Sequence, residues 1–299
     1  MHLPGLSLAL RTFAGTADGL RIRALDLRGI KRRFVTHAEG RLHVLELAGH
    51  GSLPPVLVLH GLGSCAADEV PFLRALQRRC RRVFAMDLPA HGHSSAPADG
   101  MLMSGLEHLR AGLRAVSDEP VVVVGNSLGG FAAVRLAAAE PTRVAGLYLL
   151  APGGAPLSDT ELSDVLRAFR ASNQREVLDF LDRTFVNPLW YRQVAALLVR
   201  GRAARPALRR AIQRATTAEL LAPEELRSLR IPVHVLWGER EQLLPSHGQH
   251  FFEAHLPPGA VSVARGIGHA PQHQDLRYTI EKIEVFLRTL EPHRRPGAT

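Results

Sequence analysis

Residues Val121 to Val134 read VVVVGNSLGGFAAV. Four β-branched residues in succession mark a strand buried on both faces, and the small apolar residues after Gly130 suit a helix packed closely on a sheet. Between them Gly125-Asn126-Ser127-Leu128-Gly129 fits G-x-S-x-G, a turn that runs straight from strand to helix and lifts a serine hydroxyl above the carboxyl edge of the sheet. Glycines stand two residues to either side because a side chain there would collide with the neighbouring strand or helix. The helix starting at Leu128 aims its free N–H groups and positive dipole end at the same spot, so negative charge developing there is stabilised.

Outward from this corner the pattern repeats. Short apolar runs recur at Val56 to His60, Arg82 to Met86, Ala145 to Leu150, Val233 to Trp237 and Ala260 to Ala264, and Phe34 to His37 with Arg41 to Ala48 reads as an antiparallel hairpin. Helical spacing appears at Val70 to Arg79, Leu102 to Val116, Leu128 to Glu140 and Asp275 to Leu290. Strand and helix alternate, which predicts an α/β architecture on a mostly parallel sheet. From about Pro156 to Ser228 the alternation stops: Glu161 to Phe169, Arg175 to Phe185, Leu189 to Val199 and Pro206 to Ala215 are all helical. The expected organisation is an N-terminal extension (1–33), a core (34–155 and 229–292), a helical lid or cap (156–228) and a frayed tail (293–299).

Composition narrows the class. With 299 residues, 46% hydrophobic and 22% charged, the chain is globular, and no apolar run reaches the length of a membrane span. The formal charge of +9 is carried almost wholly by arginine and is scattered without interleaved aromatics, so it reads as solvated surface rather than a nucleic-acid site. Cys65 and Cys80 form no metal-ligand pattern and fit reduced thiols. The opening MHLPGLSLALRTF lacks a basic segment ahead of its apolar residues, so it makes a poor signal peptide and the expected location is cytoplasmic.

A serine hydroxyl is a weak nucleophile near neutral pH and needs a base oriented by a third group. Among 15 histidines, His269 in Gly266-Ile267-Gly268-His269-Ala270-Pro271 follows the last strand on a glycine-bracketed loop. His60, His91, His93 and His273 compete with it. The orienting acid should follow the preceding strand, where Gly238-Glu239-Arg240-Glu241 offers two carboxylates; spacing from Gly238 and Pro245 favours Glu241 and leaves Glu239 in reserve. An acyl oxyanion needs two backbone donors. Leu128, directly after the nucleophile, supplies one, and Leu62 in His60-Gly61-Leu62-Gly63 the other. His60, Asn126, Trp190 and Tyr191 are candidate substrate contacts, and Phe169, Phe185, Leu189, Leu197 and Leu198 are further candidate cap-lining residues. Cap arginines Arg167, Arg170, Arg192 and Arg200 offer a carboxylate site or simply exposed surface.

Together VGNSLGG, LHGLG, DLPAHGHS, WGEREQLLP and GIGHAP resemble, in order, the successive signatures of the α/β-hydrolase fold superfamily, over about Phe34 to Leu290. The resemblance implies an eight-stranded, mostly parallel sheet with helices on both faces, a helical cap inserted after the sixth strand, and a Ser127–Glu241–His269 triad with Leu62 and Leu128 as oxyanion donors. The family usually carries aspartate where Glu241 stands. The expected activity is hydrolysis of a small or medium uncharged carboxylic ester through an acyl-enzyme, without metal or organic cofactor. The elbow also resembles that of hydrolases cleaving carbon–carbon bonds in ring-fission diketones, and a non-catalytic binding module is the alternative of a different class. The expected partner is a small molecule, with no nucleic acid and no membrane insertion.

Overall fold

The computed structural model describes residues 29–38, 40–97, 105–170, 173–188 and 190–291, together with Thr16, Ala17 and Leu25. Most of the expected N-terminal extension, the whole expected tail, residues 102–104 of the expected Leu102 helix, and Leu189 lie outside the described residues.

Eight strands form one sheet in the order β1-β2-β4-β3-β5-β6-β7-β8. They are β1 (Lys31–His37), β2 (Gly40–Ala48), β3 (Val56–Leu59), β4 (Arg82–Met86), β5 (Val121–Asn126), β6 (Val144–Leu150), β7 (Val233–Gly238) and β8 (Val261–Ala264). β2 runs antiparallel to β1 and β4, and every pairing from β4 to β8 is parallel. β1 begins at Lys31 rather than the expected Phe34. Its first residues are exposed and charged, so they carry no apolar signal, yet Lys31 pairs in register with Glu46 on the edge of the sheet.

The valine run of β5 is wholly buried because alternate residues feed two cores. Val121 and Val123 join Leu57, Leu59 and Phe84 beneath α2 (Leu106–Val116) and α3 (Leu128–Ala139). Val122 and Val124 join Val56, Val58 and Val83 on the opposite face, under α1 (Val70–Gln77) and the final helix, which spans Leu276–Thr289. Each fully buried valine contributes on the order of 1.5–3 kcal/mol, an upper estimate since unfolded chains already bury some surface. The strand is thus buried along its whole length, and Ser127 follows its last residue.

After β6 come α4 (Asp159–Arg170), α5 (Gln174–Thr184), α6 (Arg192–Ala203) and α7 (Pro206–Arg214), with small apolar clusters of their own. Asn173 caps α5 by accepting the Glu176 N–H at 3.0 Å. α6 starts at Arg192 instead of the expected Leu189, with Tyr191 as the non-helical residue before it. Three short helices complete the count used below: α8 (Pro223–Arg227), α9 (His247–His255) and α10 (Pro271–Gln274), so the final helix is α11. Among the described residues no helix is long and apolar enough to cross a membrane.

Candidate active site

Ser127 sits at φ 53°, ψ −117°, a left-handed conformation that disfavours any L side chain and costs on the order of 1–3 kcal/mol. The surroundings hold it there. Ser127 N–H donates to Leu150 O at 3.1 Å, and Ser127 O accepts from the N–H groups of Gly153 (2.9 Å) and Phe131 (3.1 Å). The flanking glycines answer steric demands: a Cβ on Gly125 would strike the Gly129 carbonyl, and one on Gly129 would strike the Leu59 carbonyl.

His269 lies on the loop after β8, and its Nδ1 is 2.7 Å from Glu241 Oε2. Both side chains are nearly inaccessible to solvent, at 5% and 3%. Glu241 Oε1 accepts two backbone N–H groups, from Leu243 at 2.7 Å and Leu244 at 3.0 Å. Burial alone pushes the Glu241 carboxyl up; the His269 ring and these two donors outweigh it, and the net displacement is below the ordinary carboxylate range. A carboxylate held this way fixes Nδ1 as the proton-bearing nitrogen and leaves Nε2 as the basic one. Glu239, the other acid in the loop, accepts instead from Gly266 N–H at 2.9 Å. The longer reach of glutamate over aspartate is absorbed by the Leu243–Leu244 turn that grips its second oxygen.

Asn126 joins the two halves. Its amide Nδ2 donates to Leu150 O at 2.9 Å and to the carbonyl of His269 at 3.1 Å, so the residue before Ser127 tethers the histidine loop. Ser127 and His269 line one cavity of about 680 Å³, a size suited to a small-molecule substrate. Among the described residues no hydrogen bond joins Ser127 Oγ to the ring. Leu62 and Leu128 line the same cavity, and among the described residues neither backbone N–H donates to another backbone group.

Other expectations divide. Phe169, Phe185, Tyr191 and Leu198 line the cavity, and Asn126 reaches it while serving chiefly as a tether. Two candidate contacts are corrected. His60 is buried behind the loop: its Nδ1 donates to Gly61 O at 2.8 Å and its Nε2 accepts from Leu88 N–H at 3.0 Å, so neither ring nitrogen is left for substrate. Trp190 is 94% exposed and lies outside the cavity, because α6 begins after it and turns it away from the inner face. None of the four cap arginines lines the cavity; Arg167 and Arg192 pair with neighbouring aspartates, Arg170 reaches Ile212 O, and Arg200 reaches Gln174.

Sequence reasoning passed over Arg202, Asp68 and Glu69 at the charged end of the cavity and weighed His273 there only as a competing base. Arg202 of α6, 5% exposed, meets Asp68 at 2.6 Å, and His273 Nε2 lies 3.2 Å from Glu69 Oε1. Burial pulls His273 down, but Glu69 and Asp68 outweigh it and hold the ring above its ordinary value. Deeper in the core stands a second buried pair. His43 Nδ1 lies 2.7 Å from Asp87 Oδ2, while Asp87 also accepts from Ala66 N–H (2.7 Å) and His93 N–H (2.8 Å). Burial pushes the Asp87 carboxyl up, yet His43 and the other donors hold it at about 2. Of the two rival bases on that side, His91 is buried with Nδ1 on Pro89 O, its ring lowered to about 3 chiefly by burial, and His93 anchors the Asp87 loop through its backbone.

Residues 56–280 match the sequence profile of the Alpha/beta hydrolase family. The 2-hydroxymuconate semialdehyde hydrolase of Pseudomonas putida is 28% identical over 252 residues, 79% of this chain and 85% of that protein. Among solved structures, a membrane phospholipase A described as a bacterial virulence factor superposes with a TM-score of 0.75 at 26% identity, covering 96% of this chain and 97% of that one. The naproxen esterase of Bacillus subtilis gives a TM-score of 0.72 at 23% identity, over 86% and 91% of the two chains, a likeness of fold.

Proposed function

Because the chain belongs to the alpha/beta hydrolase family, we propose that it hydrolyses carboxylic esters of uncharged substrates through an acyl-enzyme on Ser127. Ser127 Oγ attacks the ester carbonyl while His269 Nε2 takes its proton. Glu241 holds the ring in the required tautomer and stabilises the imidazolium that forms. The N–H groups of Leu62 and Leu128 receive the oxyanion, a contribution worth about 2.7–4 kcal/mol per donor. The alcohol departs with the proton from Nε2, and water, activated by the same nitrogen, releases the acid.

The observation that carries this reading is the convergence on one cavity of a strained serine and a histidine locked to a buried carboxylate at 2.7 Å. Strain at the serine, a saturated carboxylate and an otherwise unused Nε2 are hard to explain in a binding module, which would gain nothing from them.

The relative acting on 2-hydroxymuconate semialdehyde, whose substrate carries a carboxylate, favours a second reading: hydrolysis of an acidic ring-fission product. The cavity's charge speaks for the ester. Among its described lining residues the one guanidinium is Arg202, already engaged with Asp68 at 2.6 Å, His273 is engaged with Glu69 at 3.2 Å, and Glu219 adds further negative charge. A substrate carboxylate would enter without a cation to receive it, at a cost of several kcal/mol.

The test is turnover of p-nitrophenyl butyrate together with covalent labelling by a fluorophosphonate. Both should be present in the unaltered protein and absent in Ser127→Ala. Labelling without turnover of any ester, alongside turnover of a ring-fission diketone, would transfer the assignment to carbon–carbon cleavage. Neither labelling nor turnover would leave the binding module.

A further inference from the structure

The two backbone donors assigned to the oxyanion are held in different ways. Leu128 begins α3 directly after Ser127, whose own backbone bonds to Leu150 and Gly153 are made outside the four cap helices. Leu62 lies between Gly61 and Gly63 on the loop beyond β3, and Gly63 adopts φ 75°, where a residue without a side chain imposes little shape of its own. That loop is gripped from the cap. Leu62 packs against the apolar cluster of Leu166, Phe169, Ala203, Leu208 and Ile212, drawn from α4, α6 and α7, and a Cβ on Gly63 would strike the Phe169 ring.

Arg202 supplies the polar part of the grip. From α6 its guanidinium meets both oxygens of Asp68, Nη1 to Oδ2 at 2.6 Å and Nη2 to Oδ1 at 3.3 Å, and Nη1 also reaches Gly63 O at 3.5 Å. Asp68 Oδ2 in turn accepts from Ser64 Oγ at 2.9 Å and from Cys65 N–H at 3.0 Å, while Ser64 N–H donates back to Gly61 O at 3.2 Å. A chain of hydrogen bonds thus runs from the cap to the residues on either side of Leu62. Stability does not account for it. A guanidinium only 5% exposed, next to Ala203 of the apolar cluster, has lost most of its hydration, and well-packed hydrocarbon in place of a buried pair is often equally stable or more so. Hydrocarbon could not, however, set the directions of a carboxylate and a carbonyl, which a two-pronged guanidinium does.

We propose that Arg202 is a positioning residue for the oxyanion hole: through Asp68 and the Gly63 carbonyl it holds the loop that carries the Leu62 N–H, so that one donor is built into the core and the other is set by the cap. The proposal rests on the hydrolase reading and adds to it a residue that acts through another rather than on the substrate. An oxyanion exists only in the transition state and the tetrahedral intermediates, so a misplaced donor slows the chemical step and leaves binding of the ester itself unchanged.

The experiment measures kcat and KM for p-nitrophenyl butyrate in Arg202→Met and in the double variant Arg202→Met/Asp68→Asn, which leaves no carboxylate stranded and so keeps the test open if the single variant folds poorly; rates are referred to the folded fraction given by circular dichroism. In both, kcat should fall by between about 10- and 1,000-fold, the upper end being the loss of a whole donor, with KM within about threefold. Two inhibitors separate the causes. Propyl trifluoromethyl ketone, whose serine adduct carries the oxyanion, should lose affinity by about the same factor as kcat/KM, whereas butyl p-nitrophenyl ether, which has no carbonyl, should bind as before. A lower melting temperature with kcat of the folded fraction unchanged overturns the proposal in favour of a structural pair. A raised KM and weakened ether binding at unchanged kcat overturn it in favour of a substrate contact. Failure of the hydrolase reading looks different: the unaltered protein turns over no ester and Ser127 takes no fluorophosphonate label, which removes both proposals together.

Discussion

Two histidine–carboxylate pairs in this molecule have the same bond length and opposite fates. His269 and Glu241 meet at 2.7 Å on loops beyond β8 and β7, and His43 and Asp87 meet at 2.7 Å on β2 and beyond β4. In each the carboxylate is buried and also accepts backbone N–H groups. The difference lies at the far nitrogen. His269 lines a cavity that also contains a strained serine; the His43 Nε2 is sealed in the core without a partner among the described residues. A short hydrogen bond to a carboxylate therefore orients an imidazole but does not make it a base. Access of the second nitrogen to a reacting atom decides that, and the inner pair is left with the task of holding β2 to the segments beyond β3 and β4.

Substitution should separate the pairs most sharply in rate. Ser127→Ala and His269→Ala are expected to lower kcat for p-nitrophenyl butyrate by about 10⁴-fold or more, and Glu241→Gln by about 10³- to 10⁴-fold through the wrong tautomer, measured under saturating ester. His43→Gln should instead leave kcat/KM within about fivefold in whatever fraction folds; a loss as large as that of His269→Ala would erase the distinction. Next comes stability. Asp87→Asn can keep an oxygen for the Ala66 N–H but replaces the one shared by His43 and the His93 N–H, and denaturant titration should register a loss of about 3–5 kcal/mol. The third effect is pH-dependent. His91 binds its proton only near pH 3 in the folded chain, because burial disfavours the charged ring, whereas the unfolded chain binds it near 6.5. Between those values the unfolded state holds more protons, so stability present above pH 6.5 drains away as pH falls toward 3, with a slope of up to about 1.4 kcal/mol per unit. Thermal melts across that range should show the decline, and His91→Asn should flatten it. Asp87 acts in the same direction lower down, from its unfolded pKa near 4 toward about 2. Smallest of all, Glu239→Gln should change kcat by less than about twofold, since its carboxylate binds Gly266 N–H and not the base. A hundredfold loss there would mean the acid had been misassigned.

The alternation of strands and helices, the corner serine and the histidine loop were legible because each is a contiguous pattern tied to one local backbone requirement. Glu241 was separable from Glu239 only by spacing, since two residues in an irregular loop face whichever way the loop turns. Trp190 was misread because apolar periodicity does not mark a helix start: the indole belongs to the turn before α6 and faces outward. His60 looked like a contact because it adjoins the oxyanion loop, while its partner, Leu88 N–H, comes from the next strand's loop. Hardest to foresee were pairs across long stretches of chain. Arg202 and Asp68 are 134 residues apart and Glu69 and His273 are 204 apart, and each is one charged residue among many until the fold brings them together.

The carbonyl of Thr184, at the end of α5, accepts the backbone N–H of His269 at 3.1 Å and the side chain of Gln274 at 3.3 Å. The end of α5, which lines the cavity, is thereby fastened to the loop that carries His269. Any displacement of this wall large enough to admit a bulky guest must either drag the His269 backbone with it or snap this link, so the width of the opening and the seat of the imidazole are mechanically geared to one another.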